Sequence, residues 1–236
     1  MPFLPVLLPT DVLLWLLLAA ITAYVWYCSR RPHLAAPWKR VFQSRVAMFS
    51  SVFLVAYLCV GVADSLHFRL RLEQPVPGAA AVHSPEVLSV LDLALEHLRE
   101  RRETTYSEPL ATRLYSKEQI ETPDGKRVRD YPRLRHGGSH LKDEGEWAGD
   151  VAGRVGAGLG VAFVAFFLFF LLIRLFKRKR PEMPWNAALA ALGVLLALAG
   201  PMAALSGGYH VLGTDKVGQD VLYLSLKSVR ISLIIG

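Results

Sequence analysis

The chain has 236 residues, of which 53% are hydrophobic and 20% charged, and its formal net charge is +7. An ordinary soluble domain of this length is less apolar and scatters its apolar residues in short periods, whereas here they come in long blocks. The positive charge argues for a lipid bilayer rather than nucleic acid as partner. It is confined to two short loops beside the blocks, while the long segment 67–154 holds fourteen Lys/Arg against fifteen Asp/Glu.

About 20 helical residues cross a hydrocarbon core roughly 30 Å thick, and four blocks have that length. The first runs from Val12 to Cys28. No Lys or Arg precedes it, so it lacks the basic start of a secretory signal peptide and is expected to stay as a span. The loop after it carries Arg30, Arg31, Lys39, Arg40 and Arg45 and no acid. The second block, Val46 to Leu66, ends near Asp64, His67 and Arg69. An acid inside a span is a functional candidate, although at this outer end an interfacial ion pair is the simpler expectation. Cys28 and Cys59 lie at the end of the first block and inside the second, without a CxxC spacing, and read as apolar filler.

In segment 67–154, Ser84-Pro85-Glu86 predicts a helix start, with Ser84 as cap and Pro85 at the first helical position. Val87, Leu88, Leu91, Leu95 and Leu98 continue at helical spacing to about Glu103. Thr122-Pro123-Asp124-Gly125 predicts a tight turn and His136-Gly137-Gly138 a loop. His136 and His140 are four apart, as in zinc-binding helices, but Gly-Gly between them opposes a helix and no third ligand is evident.

The third block, Val155 to Phe176, is uncharged as far as Ile173 and holds Phe, Leu, Val or Ile at thirteen of those positions. At about −0.3 to −0.6 kcal/mol each, they favour insertion by roughly −4 to −8 kcal/mol. Gly153, Gly156, Gly158 and Gly160 open this block. They lack the strand and downstream acid of a dinucleotide fingerprint, and Gly156 with Gly160 predicts a small-residue face for helix packing. The next loop carries Arg174, Lys177, Arg178, Lys179 and Arg180 against Glu182, and the fourth block runs from Ala187 to Leu205. Basic loops stay on the cytoplasmic side. This rule places the N-terminus, 67–154 and 207–230 outside.

The fold class expected is an all-α integral membrane protein: four transmembrane helices, the start of a fifth at the C-terminus, and an external insertion between helices two and three. Its segments are 1–66 (two spans and a basic loop), 67–154 (the insertion), 155–206 (two further spans and a basic loop) and 207–236. No GxxxxGK[ST] or GxSxG motif is present, and no acid–base pair is set by spacing. No enzyme activity and no cofactor are expected, and any energy-consuming step falls to another subunit.

After the fourth block stands Tyr209-His210-Val211-Leu212-Gly213-Thr214-Asp215-Lys216-Val217-Gly218-Gln219-Asp220-Val221-Leu222, and then Val229-Arg230-Ile231-Ser232-Leu233. By its residues alone, Gly213-Thr214-Asp215 predicts a turn with Thr or Asp as helix cap. Val217, Val221, Leu224 and Val229 predict a short interfacial helix. The stretch resembles the permeases of dipeptide/oligopeptide-type ABC importers, which carry H-x-L-G-T-D-x-x-G-R-D-V-L and then Arg-x-Ser-Leu at the opening of the next span. His210, Leu212, Gly213, Thr214, Asp215, Gly218, Asp220, Val221, Leu222, Arg230, Ser232 and Leu233 match. Gln219 stands where the family usually has Arg.

The resemblance covers about thirty residues, 207–236. It implies a permease subunit of the bacterial inner membrane, helping to form a path for peptides or similar small solutes. The implied partners are a second permease subunit, two ATP-binding subunits and a periplasmic substrate-binding protein. The family usually has one span before this motif, where this chain has four. Its core also continues into a loop that docks on the ATPase, so a natural product extending past Gly236 is expected. Two other classes fit the residues without the resemblance: a membrane-anchored sensor or scaffold working through 67–154, and a membrane-embedded enzyme using Asp64 with His67 or His136.

Overall fold

The computed structural model describes residues 3–71, 84–121, 127–179 and 181–235. They are mostly helical, and four helices are long and apolar enough to cross a membrane. Five short strands depart from the all-helical expectation. The chain divides into two compact units. One comprises Met1–Glu96, Glu182–Ala187 and Leu226–Gly236; the other comprises His97–Pro181 and Ala188–Ser225.

In the first unit, α1 (Pro9–Ser29) and α3 (Arg45–Ser65) are the first two candidate spans. Pro9 at the first helical position lacks the N–H that would be orphaned there, and Asp11 accepts the Leu8 N–H at 3.0 Å. Between the spans lies α2 (Pro32–Gln43), which touches both. Ser44 starts α3 by accepting the Ala47 N–H at 3.1 Å. The start of α1 meets the end of α3, where Ser65 donates to Asp11, so the two helices are antiparallel. At that end the chain adds a small sheet of β1 (Phe3–Val6), β2 (His67–Leu70) and β3 (Leu88–Ser89), all antiparallel in the order β1-β2-β3. Phe3 and Phe68 meet edge-on across it.

The helix expected from Ser84 to Glu103 is shorter and broken. It starts at Val90, not Pro85, as α4 (Val90–Ala94). Its cap is Ser89, in a reciprocal box with Asp92: the Asp92 N–H donates to Ser89 Oγ at 3.0 Å and the Ser89 N–H to Asp92 Oδ2 at 2.9 Å. Leu88 and Ser89 pair with β2 instead, so the residues expected as the first turns of the helix form the two-residue strand β3 and its approach. A second turn, α5 (Glu96–Arg99), follows.

In the second unit, β4 (Glu118–Glu121) and β5 (Arg127–Asp130) form an antiparallel pair. The turn expected at Thr122–Gly125 lies between them, outside the described residues. Helix α6 (Trp147–Lys179) has 33 residues, about 50 Å at 1.5 Å per residue. It therefore exceeds the expected third block by two turns at its start, where Asp150 and Arg154 sit. Helix α7 (Trp185–Ser206) is the fourth candidate span.

The α6–α7 contact uses a different glycine from those expected. Nothing lies within 4 Å of where a Cβ would stand on Gly156 or Gly160, whereas one on Gly158 would stand 2.6 Å from the Gly200 carbonyl oxygen. Gly158 and Gly200 thus allow the two backbones to touch. Phe163, Val161 and Leu198 stay exposed on these helices, as side chains facing lipid do. A buried cluster of Leu141, Leu205 and Tyr209 lies at the Ser206 end of α7, packed by Leu110, Val151, Val155 and Val211.

Finally, α8 (Val221–Ile235) is a single helix of 15 residues. It takes up both the short helix and the next apolar segment read from the sequence, and Val217 lies in the turn before it. Its first residues belong to the second unit and its remainder to the first.

Candidate functional site

Polar side chains are buried in two places, one in each unit. In the second unit they are organised by the stretch 209–222. His210 is 2% exposed, and both its ring nitrogens are engaged: Nδ1 lies 2.7 Å from Asp220 Oδ2 and Nε2 lies 3.3 Å from Glu103 Oε1. Glu103 also accepts three backbone N–H groups, from Arg135 at 2.8 Å, His136 at 2.7 Å and Gly137 at 3.3 Å.

Burial works against ionisation of both groups. At Glu103 it is outweighed by the His210 ring and the three amide donors, which hold the carboxyl at about 2. At His210 it is outweighed by the hydrogen bonds and charges of Asp220 and Glu103, which raise the imidazole to about 9. The result is an imidazolium between two carboxylates. With no free lone pair on the ring, it can neither bind a metal nor abstract a proton.

The rest of the stretch is held as tightly. Thr214 Oγ1 donates to the Thr105 carbonyl at 2.9 Å and lies 3.1 Å from Ser107 Oγ, from whose hydroxyl it can accept. Thr214 bridges to Ser107 and to Asp220. Gly213 and Gly218 have φ of +77° and +76°, in the left-handed region. A Cβ on either would meet backbone, of Ser107 and of Glu103 respectively. The Glu103 N–H donates to the Gly218 carbonyl at 2.9 Å. Asp215 closes the turn by accepting the N–H groups of Val217 and Gln219.

The helix cap expected at Thr214 or Asp215 is instead Asp220, whose Oδ1 accepts the Leu222 and Tyr223 N–H groups at 2.8 and 3.3 Å. The chain turns once more after Asp215 before α8 begins, so the earlier residues stand too far from the helix to cap it. Leu212 is exposed. Beside this stretch, Asp150 Oδ2 receives Tyr209 Oη, Arg154 Nε and His140 Nε2, each at 2.8 Å. Burial and the bond to Asp150 push the Tyr209 hydroxyl up to about 12. His136, by contrast, contributes its backbone N–H to Glu103, so the two histidines four apart serve different partners.

In the first unit, Asp11, Asp64 and Asp92 gather around Lys227 and Arg230 of α8. Asp64 is fully buried, not an exposed interfacial residue. Its Oδ1 takes Lys227 Nζ at 2.8 Å and Ser89 Oγ at 2.9 Å, and its Oδ2 lies 3.2 Å from Arg230 Nε. Lys227 also reaches Asp92 at 2.9 Å, and Arg230 Nη1 reaches Asp11 at 2.9 Å. His67 Nδ1 stands 2.8 Å from Asp11 Oδ2, and its Nε2 stands 3.3 Å from Arg230 Nη1. Arg230 can only donate. In that contact Nε2 is therefore the accepting side of the ring, and Nδ1 is the side that faces Asp11.

Of the residues marked by the sequence, His210, Gly213, Thr214, Asp215, Gly218 and Asp220 come together in the second unit. Arg230 enters the charged cluster of the first. Ser232 only donates back to the Ser228 carbonyl on α8. Arg30, Arg31, Lys39 and Arg40 are exposed around α2, and Lys177 and Arg178 are exposed at the end of α6. Lys179 closes α6, and Arg180 lies outside the described residues.

Sequence reasoning missed Glu103, Asp11, Asp92 and Lys227. Lys227 and Arg230, three apart in an otherwise apolar segment, carried a signal, since two half-buried cations on one face of an apolar helix call for acids nearby. Glu103 carried none, because it sits 107 residues from His210 in a charged run. Among the described residues no group of three or more His, Cys, Asp or Glu is arranged to hold a metal. No family model matches the chain, and no curated protein or solved structure matches it.

Proposed function

We propose that this chain is a membrane-spanning permease subunit of an ABC importer of the dipeptide/oligopeptide type. It works with a second permease subunit, two ATP-binding subunits and a periplasmic binding protein in the bacterial inner membrane. The observation that carries this reading is the stretch His210–Leu222 with Arg230, Ser232 and Leu233. Its polar positions resemble those of such permeases, and in this fold His210, Thr214 and Asp220 are buried and, with Asp215, form the turn leading into α8. The four candidate spans and the basic loops support a multi-pass chain with 67–154 and 207–220 on the outer face and α8 as the start of a fifth span. Gln219 contributes backbone groups only, exchanging its N–H and carbonyl with Asp215, so the missing arginine of the pattern leaves the turn intact.

Affinity purification of the tagged protein from its own membrane tests the reading. ATP-binding and second permease subunits are expected to co-purify, and deletion of the gene is expected to abolish binding-protein-dependent peptide uptake. Isolation of the chain without ATP-binding subunits, together with unchanged uptake, would refute it. The sensor or scaffold alternative is less favoured. In segment 97–146 the buried polar groups, Glu103 and Ser107 above all, are spent on holding 210–220 rather than on building a separate binding site.

A further inference from the structure

The turn at the basic end of the first unit has a feature that transport does not use. Helix α2 has no buried residue, although it is amphipathic. Leu34, Trp38, Val41 and Phe42 fall on one side of the helical wheel, and Lys39, Arg40, Gln43 and His33 on the other. Trp38, Val41 and Phe42 remain 40–46% exposed, so a large part of each apolar side chain is left uncovered in this unit. Trp38 stands edge-on to Tyr24 of α1 at 6.4 Å, which puts the apolar side level with the end of a span. The cations sit at the same height: Arg30 lies over the Trp26 ring at 4.8 Å and Arg31 over the Tyr27 ring at 5.5 Å. Within this patch the described acid is Glu182, which pairs with Lys39 at 2.8 Å. Among the described residues no acid pairs with Arg30, Arg31, Arg40 or Arg45 at this end, so the charge facing the bilayer surface is positive.

We infer that α2 lies in the headgroup layer and binds anionic glycerophospholipid. Trp38, Val41 and Phe42 enter the acyl boundary, while Arg30, Arg31, Lys39 and Arg40 engage the headgroup phosphates. An aromatic wedge beside an excess of cations is complementary to an anionic lipid surface in both its parts. It does not match a second copy of the same positive patch.

The test is titration of the detergent-solubilised chain with phosphatidylglycerol, phosphatidylcholine or inorganic phosphate, read by native mass spectrometry. Phosphatidylglycerol is expected to bind well ahead of phosphatidylcholine, and inorganic phosphate is not expected to compete. A Lys or Arg close to an anionic surface contributes about five-fold to binding, so K39Q/R40Q is expected to weaken phosphatidylglycerol about thirty-fold. That variant leaves Arg30, Arg31 and Arg45 to orient the spans. The charge-keeping variant K39R/R40K is expected to retain the preference. K177Q/R178Q, in the other basic loop, is expected to retain it too. Equal binding of the two lipids by the wild-type protein would overturn the assignment even if the double variant failed to fold. So would equal losses in K39Q/R40Q and K177Q/R178Q, which would mean that any basic loop serves.

Discussion

Replacing Glu103 by Gln tests whether the buried imidazolium organises the stretch 208–220. The carboxylate now accepts four donors on two oxygens: His136, Gly137 and His210 on Oε1, and Arg135 on Oε2. An amide keeps one oxygen. If that oxygen takes the place of Oε1, the new NH₂ faces the Arg135 N–H, donor against donor. An unsatisfied buried donor costs about 1–3 kcal/mol, and removing one partner of a buried charge pair costs about 3–5 kcal/mol. Asp220 still holds His210, so the lower end applies, about 3 kcal/mol, or about a hundredfold in local opening. Hydrogen exchange in lipid nanodiscs reads this directly. The amides of Arg135, His136 and Gly137, and those around Gly213–Gly218, should exchange about a hundredfold faster in E103Q. Those in the middle of α6 should not change. E108Q, at an exposed carboxylate five residues along, should behave as wild type. Unchanged protection at 135–137 in E103Q would refute the reasoning.

The same clamp sets a pH window. Glu103 is held at about 2, below an ordinary 4.5, so its contribution is complete above about 4.5 and is lost as pH falls towards 2. His210 is raised to about 9 from 6.5, so its contribution is complete below about 6.5 and is lost as pH rises through 9. The melting temperature of the solubilised protein should therefore be highest between about pH 4.5 and 6.5, and H210N should flatten the alkaline limb. K227M leaves Asp64 and Asp92 buried with one counter-charge fewer, and should lower stability by about 3–5 kcal/mol. D64N/K227M should recover part of that loss in the same melt, which a purely steric role for Lys227 would not allow. G158L should separate α6 from α7 and cost about 1–3 kcal/mol, whereas G156L, with open space around it, should be neutral. Disulfide trapping between cysteines placed on the two helices would show the separation.

The four helices long and apolar enough to cross a membrane were legible in the sequence because that property depends on composition within one segment. Val155 to Ile173 carries no charge over a length that crosses a bilayer, and no distant residue can change that. The turn at Gly213–Gly218 was legible for the same reason, since glycines bounded by Asp and Thr define a local backbone path. The partners of that turn were not. His210 is paired by Asp220, ten residues away, and equally by Glu103, which a long charged segment separates from it. The face of α6 that meets α7 was misplaced: the spacing of Gly156 and Gly160 pointed to their face, whereas Gly158 is the one that finds Gly200 opposite. Asp64 shows the limit most directly. As a lone acid at the end of a span it suggested an interfacial pair near His67 and Arg69, because the cations that make its burial tolerable, Lys227 and Arg230, lie more than 160 residues further along the chain. Hydropathy and turn chemistry are local sums, whereas the neutralisation of a buried charge is a three-dimensional condition that only the folded chain satisfies.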